Sequence, residues 1–137
     1  MRKVFADSSY WIALIHPDDM FHARAELLSE QEAKSQLITT DVVFREVLNF
    51  FCSLGDYWRE NASAAVEEFL RTPSITIIPQ TPELFQQGIQ LYKSRLDKSY
   101  SLTDCISMVV MKKEQIEDVL SSDRHFEQEG FSLLMKL

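Results

Sequence analysis

Glycine, proline and cysteine are all scarce, at 3, 4 and 2 of 137 residues. So little glycine and proline excludes collagen-like, Pro-rich and low-complexity architectures, and no internal repeat is present. The two cysteines, Cys52 and Cys105, stand far apart without metal-ligand spacing, which excludes a disulfide framework and a thiolate zinc site. Long apolar runs are missing as well. Val4-Phe5-Ala6 is cut by Asp7 well before it reaches the length of a signal-peptide core or a membrane span, so a cytoplasmic protein with no membrane partner is expected. Positive charge is also short, with 14 Lys and Arg against 21 Asp and Glu, a net −7. That balance argues superficially against a phosphate-rich partner, because such affinity normally comes from Lys and Arg.

What is present is a 45% hydrophobic chain long enough for one ordinary core, read as a single domain over residues 1–137. Lys3 to Ala6 reads as a short buried strand, and Ser8-Ser9 starts a helix that Pro17 stops. Asp18-Asp19 cap a second helix to about Lys34, with Phe21, Ala25 and Leu28 on one face. Gln36 to Thr39 is the next strand. Thr40 or Asp41 caps a helix ending near Gly55, and another helix runs from about Trp58 to Arg71. Ile75 to Ile78 is the clearest β-branched strand, and Thr81-Pro82-Glu83 opens a further helix. Ser101-Leu102-Thr103-Asp104 is a start of the capping-box type, with Asp in place of the usual Glu or Gln. Ile116 to Leu120 and Phe131 to Met135 read as two late strands around a Ser121-Ser122-Asp123 turn. Strands alternating with helices imply right-handed crossovers and a three-layer α/β/α sandwich with a mostly parallel central sheet.

Four acids, Asp7, Glu46, Asp104 and Asp123, stand where such a sheet gathers side chains at one edge. Asp7 and Asp123 each follow a strand, Asp104 opens a helix packed on the sheet, and Glu46, at helical spacing from Val43, Val47 and Phe50, is expected within the apolar stripe of its helix. Local roles compete: Asp7 and Asp123 are good cap or turn residues, and Asp104 suits the helix dipole. Carboxylates brought within 4 Å repel by roughly 1 kcal/mol per pair in water and by more in a cleft. Protonation or a bound divalent cation must compensate, and an all-oxygen donor set suits Mg²⁺ or Mn²⁺. Two such ions would offset more than half of the net −7, so overall charge does not decide the partner.

The motifs Val4-Phe5-Ala6-Asp7-Ser8-Ser9, Val42-Val43-Phe44-Arg45-Glu46-Val47, Thr103-Asp104 and Ser121-Ser122-Asp123-Arg124-His125-Phe126 resemble, in order and spacing, those of the PIN-domain family. Chain length and motif order are most similar to VapC-like toxins of toxin–antitoxin pairs. The resemblance implies a divalent-metal-dependent ribonuclease using one or two Mg²⁺ or Mn²⁺ ions, an RNA substrate, a small protein antitoxin and a homodimer. By position, Asp7, Glu46, Asp104 and Asp123 become the catalytic, metal-binding set, with Ser8, Thr103 and Ser121 supporting them. Ser121 stands where the family often has Thr, and keeps the hydroxyl.

Lys93, Arg95 and Lys98 are candidate phosphate contacts, with Tyr100 as a stacking surface for an unpaired base; Arg124 and His125 form a second candidate pair. His125 is assigned no catalytic role, and His16 and His22 read as solvated helix-end residues. Trp11, Phe44, Phe50, Phe51, Tyr57 and Trp58 read mainly as core, with some available to a homodimer face or an antitoxin helix. A dehalogenase-type phosphatase would need a second Asp where Ser9 stands. A receiver domain would need an acid after the Ile75–Ile78 strand, where Pro79-Gln80 follows. The remaining alternative is a PIN-like domain that binds RNA or protein without catalysis.

Overall fold

The computed structural model describes residues 1–136. Five strands, β1 (Lys3–Ala6), β2 (Gln36–Thr40), β3 (Ile75–Ile78), β4 (Asp118–Leu120) and β5 (Ser132–Leu133), form one sheet in the order β3-β2-β1-β4-β5. Every pairing is parallel. Parallel strands are covered on both faces, which explains why Val4, Phe5, Ala6, Val119 and Leu120 are buried without alternation.

Seven helices complete the described residues: α1 (Ser8–Ile15), α2 (His22–Gln31), α3 (Asp41–Phe51), α4 (Asp56–Leu70), α5 (Pro82–Ser94), α6 (Leu102–Lys113) and α7 (Arg124–Gln128). From β1 to β3 the chain steps in one direction, and from β3 to β4 it crosses back over β2 and β1. With right-handed crossovers, that reversal sends α1–α4 and α5–α7 to opposite faces. The packing agrees. Trp11 of α1 meets Phe44 of α3 and Phe69 of α4, at ring separations of 5.3 and 4.6 Å, and its Nε1 donates to the Ala6 carbonyl at 3.3 Å. On the other face α5 closes on α6 so tightly that a Cβ on Gly88 would lie 2.6 Å from Ile106 Cγ1.

The expected elements differ in detail near the chain's ends. The second helix begins at His22 rather than at Asp18-Asp19, because the Asp19 carboxylate accepts the Phe21 N–H at 2.8 Å in a turn before the helix. The last strand shrinks to two residues, and a five-residue helix, α7, follows the Ser121-Ser122-Asp123 turn, where the sequence reading expects none. Its start is made by Asp123, whose carboxylate accepts the His125 N–H at 2.9 Å. The capping box at Ser101 is complete in both directions despite its Asp, at 3.0 Å each way.

Candidate active site

The strand order reverses between β1 and β4, and open parallel sheets place their ligand sites beyond the carboxyl ends of the strands at such a point. Asp7 leaves the end of β1 there, its N–H donating to the Leu120 carbonyl of β4 at 3.1 Å. It occupies the N-cap position of α1 yet makes no side-chain capping bond. Its carboxylate instead accepts from Ser121 Oγ at 2.9 Å, and Ser9 Oγ lies 3.5 Å away. Ser121 also takes the Asp123 N–H at 3.0 Å, and Ser9 takes the Ser122 N–H at 3.1 Å. A small hydroxyl network thus stitches the end of β1 to the loop after β4 and points Asp7 away from a cap role.

Burial raises the Asp7 carboxyl to about 7; the Ser121 hydroxyl and the Ser8 backbone N–H oppose that, and the nearby charges of Asp104 and Glu46 add to it. A carboxylate with two other acids in reach of its charge, and no Lys or Arg bonded to it, is suited to a cation.

Asp104 and Asp123 form the adjoining half of the site. Asp104 Oδ2, which takes the Ser101 N–H in the capping box, also lies 2.9 Å from His125 Nδ1. Asp123 Oδ1 stands 3.3 Å from the same ring nitrogen. Ligating atoms of Asp104, Asp123 and His125 all fall within 4.8 Å of one another, the one such group among the described residues. Local and functional readings therefore coexist in both acids: each caps a helix and faces the site.

Glu46 corrects an expectation. It is exposed on α3 rather than set in the apolar stripe, which runs through the buried Val43 and Val47. The side chain still turns to the site, where Ser8 Oγ donates to Glu46 Oε1. Helical spacing alone does not separate the margin of a stripe from its centre. Thr103 is half-buried in the first turn of α6 and makes no side-chain hydrogen bond among the described residues.

The expected RNA contacts divide. Lys93, Lys98 and Arg124 are exposed, Lys98 beside Asp97 at 3.3 Å. Arg95 is engaged: its guanidinium spans both oxygens of Glu129, at 3.0 and 2.8 Å. Tyr100 is a core residue, 6% exposed, with its hydroxyl donating to Glu129 at 3.1 Å, so its ring offers no open face to a base. A carboxylate 29 residues away in sequence recruits it, which local pattern does not reveal. Sequence reasoning gave Ser9 no role in the site and read His125 only as a candidate RNA contact beside Arg124. Ser9 reaches a partner 113 residues away, and His125 acquires meaning only once α7 folds against the start of α6.

Among the described residues no helix is long and apolar enough to cross a membrane. The family model of the PIN domain matches residues 4–131. The 23S rRNA-specific endonuclease VapC20 of Mycobacterium tuberculosis is 24% identical over 130 residues, covering 93% of this chain and 95% of the relative. The crystal structure of that protein, described as a sarcin-ricin loop cleaving toxin, superposes with a TM-score of 0.82 at 25% identity, covering 93% of this chain and 95% of that one. VapBC2 of Rickettsia felis, solved bound to a DNA fragment from its promoter, shares the fold at a TM-score of 0.66 and 13% identity, covering 96% of each chain.

Proposed function

Because the chain belongs to the PIN-domain family, we propose that it is a divalent-metal-dependent endoribonuclease, the toxin of a toxin–antitoxin pair acting in the cytoplasm as a single domain over residues 1–137. The observation that carries this reading is Asp7, a buried acid at the strand switch that forgoes its capping bond, is held by Ser121 and lies within reach of the charges of Asp104 and Glu46. Asp7, Asp104, Asp123 and Glu46 are the residues that would hold one or two Mg²⁺ or Mn²⁺ ions, and their oxygen donors fit such hard cations. When bound, the metal supplies a water activated near neutral pH and stabilises charge on the phosphoryl oxygens.

The chain's own residues do the positioning. Ser121 and Ser9 fix the Asp7 carboxylate, the Ser101 N–H fixes Asp104, and Ser8 fixes Glu46. Exposed Arg124, Lys93 and Lys98 are assigned to the RNA phosphates, and engaged Arg95 and buried Tyr100 are left out of that set. Phe50, Leu54 and Tyr57, 47%, 45% and 65% exposed around the α3–α4 turn, supply apolar area suited to an antitoxin or to a second copy in a homodimer.

The test is RNA cleavage with metal add-back, using a single-stranded RNA and a ribosomal RNA loop of the class named for the relative. Cleavage is expected with Mg²⁺ or Mn²⁺, and none after chelation or in Asp7→Asn. Cleavage persisting in that variant would sink the assignment. RNA binding without cleavage at any metal concentration would establish the non-catalytic alternative.

A further inference from the structure

His125 is the first residue after the α7 start, and its ring is aimed at the two acids that the folding of α7 and α6 brings together. We propose that His125 is a ligand of the divalent-cation site, through Nδ1 beside Asp104 and Asp123, and that this nitrogen makes the site prefer Mn²⁺ over Mg²⁺. The inference rests on the metal-dependent reading above and extends it to the choice of metal.

The distances carry the first part. Six-coordinate ions with bonds of about 2.1 Å have neighbouring donors about 3 Å apart. Nδ1 stands 2.9 Å from Asp104 Oδ2 and 3.3 Å from Asp123 Oδ1, two edges at the donor spacing of such a polyhedron, and the ligating atoms of the three residues all lie within 4.8 Å of one another. A ligating imidazole almost always has its other nitrogen hydrogen-bonded, which orients the ring. Here Nε2 meets Ser99 Oγ at 3.3 Å. A hydroxyl both donates and accepts, so Ser99 can support Nδ1 as an N–H facing Asp104 without metal, or as a lone pair toward the ion.

Support for the ring extends further. Tyr100 packs on it with centroids 5.4 Å apart, and Tyr100 is itself held by Glu129. Glu129 is clamped by Arg95 and by Lys112, the latter at 3.0 Å. Such anchoring is more than a solvated histidine at a helix end requires.

The second part follows from donor chemistry. Mg²⁺ takes oxygen ligands and keeps several waters; Mn²⁺ also favours oxygen and is the weakest nitrogen binder of the divalent first-row series, but as a softer ion it accepts an imidazole more readily than Mg²⁺ does. Replacing one oxygen donor by nitrogen therefore shifts a carboxylate site toward Mn²⁺.

Electron spin-echo modulation of Mn²⁺ bound to the full chain, with calorimetric titration of Mn²⁺ and Mg²⁺, tests the proposal. The wild type is expected to show modulation from a directly bonded imidazole nitrogen, absent in His125→Ala and retained in His22→Ala. His125→Ala is expected to weaken Mn²⁺ by about tenfold or more while changing Mg²⁺ little, erasing the preference. Mn²⁺ bound to the wild type without nitrogen modulation overturns this inference and leaves the carboxylate site and the nuclease standing. No binding of either ion to the wild type, together with no cleavage, overturns both. The wild-type spectrum decides the nitrogen question even if His125→Ala fails to fold.

Discussion

The Asp7 carboxyl is 4% exposed, and its affinity for a proton is raised from 3.8 to about 7, chiefly by burial. Between those values the native chain holds a proton that the unfolded chain has released, so the metal-free protein loses stability as pH rises through that window. Above about 7 the full cost is present, on the order of 4 kcal/mol at most. Asp7→Asn keeps an acceptor for Ser121 and removes the charge. In EDTA its melting temperature is expected to exceed that of the wild type at pH 8, with the gap closing by pH 4, while cleavage is lost. Equal melting at pH 8 would show that Asp7 carries no such cost. Asp104 and Asp123 are different in kind: each also caps a helix, so their loss confounds site and fold.

Among the elements, the contact of α5 with α6 decides where Asp104 stands. Gly88 is needed there for close approach, since its conformation is ordinary but an added Cβ would meet Ile106 Cγ1 at 2.6 Å. Gly88→Ala is expected to destabilise by about 1–3 kcal/mol, read by denaturant unfolding, because Ile106 is 2% exposed and has nowhere to retreat. An unchanged midpoint would show that α6 shifts freely. On the same face Glu129 ties the C-terminal end of α7 to Arg95, Lys112 and Tyr100 and is held down to about 2, first by the Arg95 hydrogen bonds. That network explains why the segment from Lys93 to Tyr100 yields fewer free RNA contacts than its composition suggests.

For the whole molecule, a net charge of −7 and an acidic cleft leave RNA little electrostatic attraction in the absence of cations. Binding to the wild-type chain of a short single-stranded RNA whose linkages resist cleavage, followed by fluorescence anisotropy, is expected to need Mn²⁺ or Mg²⁺ and to vanish on chelation. Residual binding with a steep salt dependence in EDTA would instead place the affinity on Lys93, Lys98 and Arg124. The strand order makes the divalent requirement intelligible, because the switch between β1 and β4 brings acids from four distant segments to one edge.

By itself the sequence determined the alternation of strands and helices, the parallel sheet and the edge at which Asp7, Asp104 and Asp123 gather, because buried runs, caps and breakers are local signals. It also placed Glu46 on the helix after β2, although helical spacing could not show that the residue is exposed. Only tertiary structure decided which local roles gave way. Asp7 abandons capping for Ser121, Tyr100 goes into the core toward Glu129, and His125 turns to Asp104. In each case the partner lies at least 21 residues away, where side-chain choice follows from what the fold brings near and what burial leaves uncompensated.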